Sequence, residues 1–111
     1  MQKPDGQWGR AKGFDTFCPV GPVVAEGLDW RTLEVIGRVN GVERQRASAS
    51  SMIFSIPVLI EYITGVMTLE EGDLILTGTP DGVGRLAAGD VVEVDIPGVG
   101  VLMNSVTEES V

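Results

Sequence analysis

A short alternating segment that ends in Asn-Gly constrains the fold more than any other feature of this sequence. Residues 33–39, LEVIGRV, alternate between apolar and polar side chains, and Asn40 and Gly41 separate them from VERQRA. Alternation with a period of two is typical of a strand with one covered face, and Asn-Gly between two such runs favours a two-residue turn. The sequence therefore predicts a β-hairpin that turns at residues 40 and 41.

One helix and three further strand-like runs follow the hairpin. In SIPVLIEYITGV, Ser55 stands at the N-cap position, Pro57 lies in the first turn, and apolar residues recur at helical spacing up to Gly65. The runs DLILTG, DVVEVDI and VGVLMNSV come next, separated by segments rich in glycine and proline. Residues 1–16 are polar and glycine-rich and predict a loop or a segment that needs a partner. The expected fold class is mainly β (α+β) with one short helix.

Length and charge exclude several kinds of partner. A chain of 111 residues suffices for one small domain, and its net charge of −8, with scattered basic residues, argues against nucleic acid. The most apolar segment, residues 52–67, contains Ser55, Pro57 and Glu61 and is shorter than the ~20 apolar residues of a membrane span. A single cysteine, Cys18, and no secretory signal favour a cytoplasmic location.

The absence of histidine limits the chemistry of any site. Ser-His-Asp triads, Cys-His pairs and HExxH zinc sites all need imidazole, so a metal here would be an oxygen-bound Mg²⁺, Mn²⁺ or Ca²⁺. Glu93 and Asp95 would share one face of a strand and could share such an ion, but their alternation with valines favours solvated carboxylates. Cys18 is interpreted as a small packed residue.

Two further features allow both a structural and a functional interpretation. LTGTPDGVG, residues 76–84, has the spacing of neither common phosphate-binding fingerprint, so an ordinary connection between strands is favoured over a nucleotide site. Lys12, followed by Gly-Phe, either faces an anion or simply faces water.

Five segments taken together resemble the C-terminal part of the fumarylacetoacetate hydrolase family. The resemblance runs from about Gln2 to Val106 in consistent order and implies a single C-terminal domain, residues 1–111, of the mixed β-roll type. It is nearest to bacterial acylpyruvate hydrolases and 2-hydroxyhepta-2,4-diene-1,7-dioate isomerases. The five segments are RAKGFDTFCPVGP at 10–22, VNGVERQ at 39–45, IPVLIEYIT at 56–64, LEEGDLILTGTPDGVG at 69–84 and LAAGDVVEVDIPGVGVLMNSV at 86–106.

This resemblance implies an enzyme that acts on 2-oxo acids by C–C bond hydrolysis, decarboxylation or isomerisation. Mg²⁺ or Mn²⁺ would stabilise the enolate formed on the way. Lys12 matches the family's active-site lysine, Gln2 and Thr79 match substrate-binding positions, and Thr16 matches a position near the metal's water shell. The TGTP loop would then be a turn that also holds a carboxylate.

The family's metal ligands, a Glu-x-Glu pair and a later Asp, belong upstream of Gln2 and have no counterpart here. We therefore expect a chain truncated at its N-terminus that binds no metal by itself and is inactive alone. The alternative is a non-catalytic β-roll that binds a carboxylate or pairs with another chain. The family resemblance also implies a homodimer with a small-molecule 2-oxo acid as ligand, and neither nucleic acid nor membrane as partner.

Overall fold

A four-stranded antiparallel sheet forms the centre of the computed structural model, which describes residues 6–108 with the exception of the side chain of Arg10. The strands lie in the order β2-β1-β3-β4, and each neighbouring pair is antiparallel. The expected mainly β (α+β) class is confirmed. The strands are β1 (Glu34–Val39), β2 (Val42–Ser48), β3 (Val91–Ile96) and β4 (Gly100–Ser105).

The Asn-Gly hairpin is confirmed, and its turn also joins the next strand. Asn40 and Gly41 have φ of +52° and +77°, the left-handed conformation that a two-residue hairpin turn requires. The Asn40 side-chain amide donates to Asp90 Oδ1 over 2.8 Å, and its Oδ1 accepts the backbone N–H of Val91 over 2.9 Å. The turn of the first hairpin therefore fixes the start of β3.

A β-bulge interrupts the pairing of β1 with β2. Gly37 is opposite Gln45 and Arg38 is opposite Glu43, so Arg44 has no partner on β1. An extra residue of this kind bends its strand and redirects the neighbouring side chains. Arg44 and Gln45 lie at the point of β2 where a distant loop approaches.

The predicted helix forms as α2 (Ile56–Thr64), with Ser55 at its N-cap and Gly65 at its C-cap. The Ser55 side chain makes no capping hydrogen bond, so only its position agrees with the pattern. The segment expected to be a loop contains a five-residue helix, α1 (Trp8–Lys12). None of the helices between residues 6 and 108 has the length and apolar character needed to cross a membrane.

The run DLILTG was expected to be a strand, but residues 73–78 form none. Leu74 and Leu76 are exposed. A β-like composition produces a strand only where a neighbouring strand completes its hydrogen bonds, and no described strand pairs with this segment. Residues 73–78 are therefore an irregular connection that leads into the TGTP loop.

Few of the described side chains are buried. Within residues 6–108 only Ala11 and Ile36 form a fully covered apolar core, whereas Ile53 is 94% exposed and Val24 is 88% exposed. Cys18, which was expected to be packed, is exposed as well. The described residues thus present more apolar surface to solvent than is usual for a small monomer.

Candidate active site

A cavity of about 280 Å³ lies where α1, the sheet and the TGTP loop meet. Lys12 reaches it from the end of α1, Gln45 from β2 and Thr79 from the loop. Gly37 and Val92 lie beside them on the sheet. Two of the residues predicted from the sequence, Lys12 and Thr79, thus line one cavity although 67 positions separate their numbers in the chain.

Basic residues predominate at the cavity in a protein of net charge −8. Four basic residues are among its described lining residues, and Glu93 is the one acidic residue among them. Since a concave surface of one sign concentrates the opposite charge, this cavity favours anions. The four basic residues are Lys12, Arg38, Arg44 and Arg85.

The cations differ in how much of their charge is already balanced. Arg38 donates to Asp95 over 3.0 Å in a partly buried ion pair, so Asp95 is not the freely solvated carboxylate that the strand pattern suggested. Lys12 makes no ion pair within the described part of the chain; its Nζ lies 5.1 Å from the centre of the Trp8 ring. The ring stabilises the ammonium without neutralising it. Lys12 therefore retains its charge for an anion.

The TGTP loop is anchored on β2 by the side chain of Gln45. Gln45 Nε2 donates to Thr79 Oγ1 over 2.9 Å and to the carbonyl oxygen of Pro80 over 2.8 Å. Gly82 continues the contact: a Cβ at this position would overlap the carbonyl oxygen of Arg44, and it would lie 3.0 Å from Gln45 Cγ. The loop therefore lies directly against the bulged part of β2.

Two glycines give the loop this path. Gly78 and Gly82 have φ of +99° and +100°, which residues with a Cβ rarely adopt. At Gly78 a Cβ would meet nothing within 4 Å, so that glycine is needed only for its backbone angle. At Gly82 both the angle and the lack of a side chain are needed. The TGTP segment is a turn, as its composition indicates, and it also forms one wall of the cavity.

Of the other two predicted site residues, only Thr16 is described, and it does not line the cavity. Gln2 lies outside the described residues. Thr16 is exposed, has φ of +66° in a turn closed by the hydrogen bond from Phe17 N–H to Phe14 O, and is not part of the cavity lining. The position of Thr16 near the metal's water shell thus remains a prediction.

The described residues do not fit a divalent cation. Residues 6–108 contain no group of three or more His, Cys, Asp or Glu side chains that could hold one. Among the described residues that line the cavity, four are basic and only Glu93 is acidic, and such a set does not suit a divalent cation. An ion at this site would need ligands other than these residues.

Sequence reasoning missed Gln45, Arg44 and Gly82. Gln45 lay inside a quoted segment without an assigned role, because a strand residue of alternating polarity carries no signal of what it contacts. The bulge that turns Arg44 and Gln45 toward the loop depends on the register between strands, which periodicity does not reveal. Only Thr79 and Lys12 could be identified, through their motifs.

Comparisons with a family model, with curated proteins and with solved structures agree on one family. The family model described as Fumarylacetoacetate (FAA) hydrolase C-terminal matches residues 1–107. Oxaloacetate tautomerase YisK from Bacillus subtilis is 45% identical over 96% of this chain and 38% of its own length.

Solved structures are similar in both sequence and shape. 2-Hydroxyhepta-2,4-diene-1,7-dioate isomerase from Mycobacterium marinum is 53% identical with a TM-score of 0.91, over 96% of this chain and 42% of that one. Maleylpyruvate hydrolase from Sphingobium sp. SYK-6, in complex with manganese(II) and pyruvate, is 41% identical with a TM-score of 0.80, over 85% of this chain and 37% of that one. The chain thus spans less than half the length of each of these relatives.

Proposed function

The chain belongs to the fumarylacetoacetate hydrolase family, and from this premise we propose that residues 1–111 are the C-terminal portion of a cytoplasmic, metal-dependent enzyme that acts on 2-oxo acids. The reaction is C–C bond hydrolysis, decarboxylation or isomerisation through an enolate. The observation that carries the proposal is the shared cavity of Lys12 and Thr79, the two described residues that match active-site positions of the family.

The charge of the cavity supports an anionic substrate. The compounds named for the three relatives, oxaloacetate, a heptadienedioate and maleylpyruvate, are dicarboxylic acids that are 2-oxo acids or enols of them. Such dianions suit a cavity whose described lining includes four basic residues and one acidic residue. Which of these acids this chain's enzyme uses depends on the residues that surround the far end of the substrate.

The two residues have different roles in this proposal. The Lys12 ammonium, not neutralised by any described carboxylate, offsets the negative charge that develops on the enolate oxygen. The Thr79 hydroxyl and the neighbouring loop amides hold the substrate carboxylate, since backbone N–H groups in a glycine-rich turn form a favourable anion site. Gln2 would add a hydrogen bond to a substrate oxygen, and Thr16 would lie near the metal's water shell.

The metal is the part of the site that the described residues do not supply. Mg²⁺ or Mn²⁺, when bound, would act as a Lewis acid on the 2-oxo acid. The manganese in the related maleylpyruvate hydrolase structure supports a divalent ion in the whole enzyme. Since residues 6–108 offer no group of ligands for it, we expect the isolated chain to be catalytically inactive.

An NMR titration tests the proposal at the level of single residues. Oxalate, which resembles the enolate of pyruvate, is added to the ¹⁵N-labelled chain without metal. We expect weak, saturable shifts at Lys12, Thr79 and the loop, and a severalfold weaker affinity in Lys12→Met and in Thr79→Val. Arg31→Met is the matched control, because Arg31 also lies over an indole ring, that of Trp30, but does not line the cavity. Shifts that are absent, or that persist in both site variants, would contradict the proposal.

A second candidate function rests on the exposed apolar surface. An apolar groove lies on the other side of the TGTP loop, and Ile53, Phe54, Leu59 and Ile96 contribute to its lining. This surface would suit a non-catalytic module that pairs with another chain, and the same surface would serve a homodimer of the enzyme. Sedimentation of the chain with and without oxalate separates these functions. The chain favours the non-catalytic module if it sediments as a dimer and if Lys12 and Thr79 show no shift with oxalate in the NMR titration.

A further inference from the structure

The side chain of Gln45 reaches from β2 to the TGTP loop in an orientation that its partners determine. The carbonyl oxygen of Pro80 can only accept a hydrogen bond, so the Gln45 atom 2.8 Å from it is the amide nitrogen. The same nitrogen lies 2.9 Å from Thr79 Oγ1. The two amide hydrogens of Gln45 are therefore both used, one on Pro80 and one on Thr79.

This arrangement leaves the hydrogen of the Thr79 hydroxyl available to a ligand. Since Oγ1 accepts a hydrogen from Gln45, its own hydrogen points in another direction, and within residues 6–108 it has no other hydrogen-bond partner. Thr79 lines the cavity that contains Lys12. The hydroxyl can thus donate to a carboxylate or enolate oxygen bound there.

The space around Gln45 is provided by two glycines from different parts of the chain. Gly37 on β1 would, with a Cβ, come within 3.3 Å of Gln45 Oε1 and 3.4 Å of Gln45 Cβ. Gly82 in the loop would come within 3.0 Å of Gln45 Cγ. The Gln45 side chain therefore lies between two positions without side chains, and this restricts its rotamer as well as its hydrogen bonds.

We infer that Gln45 is a positioning residue, which acts through Thr79: it docks the TGTP loop on β2 and directs the hydrogen of the Thr79 hydroxyl away from itself, so that this hydrogen can be donated to an anionic ligand. This inference rests on the proposed function for the role of Thr79. It adds a residue on the sheet to the site, and it explains why the bulge at Arg44 lies beside the loop: the bulge directs Gln45 toward it.

A double-mutant cycle tests whether Gln45 acts through Thr79. Gln45→Glu keeps the shape of the side chain but removes both N–H donors, so the Thr79 hydroxyl donates to the new carboxylate and turns away from the ligand. We expect oxalate affinity in the NMR titration to fall by about tenfold or more, and by about two- to tenfold in Gln45→Met, which only removes the hydrogen bonds. In a Thr79→Val background neither substitution should weaken oxalate further. Equal losses in both backgrounds would overturn the inference.

A control separates positioning from a simple change of charge. Val42→Glu adds the same negative charge to the same strand at an exposed residue that does not line the cavity. It should leave oxalate affinity within about twofold of the wild-type value. If Val42→Glu weakens oxalate as much as Gln45→Glu does, charge alone accounts for the effect and the inference is wrong.

A second readout keeps this inference separate from the proposed function. The two Gln45 side-chain amide protons should exchange slowly with solvent in the wild type. In Gln45→Met the backbone of loop residues 78–84 should become more mobile, seen as lower ¹⁵N order parameters than in the wild type, with no change in β4. If oxalate does not bind but this pattern holds, the proposed function fails while the docking by Gln45 stands. Loop order parameters that do not respond to Gln45→Met would overturn the inference even if oxalate binds.

Discussion

Replacement of Gly82 by alanine tests the docking of the TGTP loop directly. The new Cβ would overlap the carbonyl oxygen of Arg44 and lie 3.0 Å from both the Arg44 carbonyl carbon and Gln45 Cγ. The backbone would also have to keep a φ of +100° with a side chain attached. Neither neighbour can move easily, because the Arg44 carbonyl belongs to β2 and Gln45 is held by two hydrogen bonds.

Two responses are open to the Gly82→Ala protein, and their costs decide between them. Keeping the loop in place costs about 1–2 kcal/mol for the left-handed backbone and about 1–3 kcal/mol for the steric overlap. Releasing the loop costs the two Gln45 hydrogen bonds, about 1–3 kcal/mol together. Release is the cheaper response. We therefore expect the free energy of unfolding to fall by about 1–3 kcal/mol, with loss of the Gln45 contact.

Two neighbouring glycines provide matched controls for this experiment. Gly84→Ala meets nothing within 4 Å and has no positive φ, so its stability should stay within about 1 kcal/mol of wild type. Gly78→Ala meets nothing within 4 Å but must hold a φ of +99°, so it should lose about 1 kcal/mol with the loop still docked. Urea unfolding measures stability, and the Gln45 side-chain amide signals report docking. If Gly82→Ala changes those signals no more than Gly78→Ala does, the loop does not lie on β2 and our reasoning is refuted.

Substitutions at three further positions test the sheet. Ile36 is 4% exposed. In urea unfolding, Ile36→Val should lower the free energy of unfolding by about 0.5–1.5 kcal/mol and Ile36→Ala by about 2–5 kcal/mol. Equal losses for the two variants would contradict the burial of Ile36. Asn40→Gly keeps the turn but removes the side-chain hydrogen bonds to Asp90 and Val91 at the start of β3. It should therefore lower the free energy of unfolding by about 1 kcal/mol. An unchanged stability would show that these bonds do not stabilise the sheet. Hydrogen bonds from the Ala87 N–H and the Asn40 amide hold the pKa of Asp90 below its ordinary value. The ionised carboxylate therefore stabilises the fold in full above the unfolded-state pKa of about 3.9. This stabilisation is lost as the pH falls through the lowered pKa. Asp90→Asn should lower the Tm at pH 7, and its difference from wild type should shrink as the pH falls through the lowered pKa of Asp90, whereas a Tm difference that is independent of pH would contradict this assignment.

Local signals in the sequence were sufficient for the elements that depend on neighbours in the chain. The hairpin at Asn40 and Gly41 and helix α2 follow from turn chemistry, helical spacing and a proline in the first turn. The five-residue helix α1 lies in a segment where glycine and charged residues hide any periodicity. DLILTG has the composition of a strand but lacks a described partner, so composition alone gave the wrong element there.

The candidate site shows the same difference between residues that a local motif identifies and residues that only tertiary contacts identify. Lys12 and Thr79 could be identified because each lies within a motif of the family, and the structure places both at one cavity. Gln45 could not, because its role depends on a bulge in the pairing of β1 with β2 and on the approach of a loop more than 30 residues further along the chain. Contacts of this kind are properties of the tertiary structure, and a single sequence carries no local signal of them.

Calorimetric titration of oxalate into the 111-residue chain, with and without Mg²⁺ or Mn²⁺, tests the central claim most directly. Our account predicts weak binding that Lys12→Met and Thr79→Val reduce, and that neither metal strengthens by more than about twofold, because residues 6–108 provide no group of metal ligands. Binding that ignores both substitutions would contradict the assignment of the cavity. Binding that Mg²⁺ or Mn²⁺ tightens tenfold or more would contradict the claim that the metal ligands lie elsewhere.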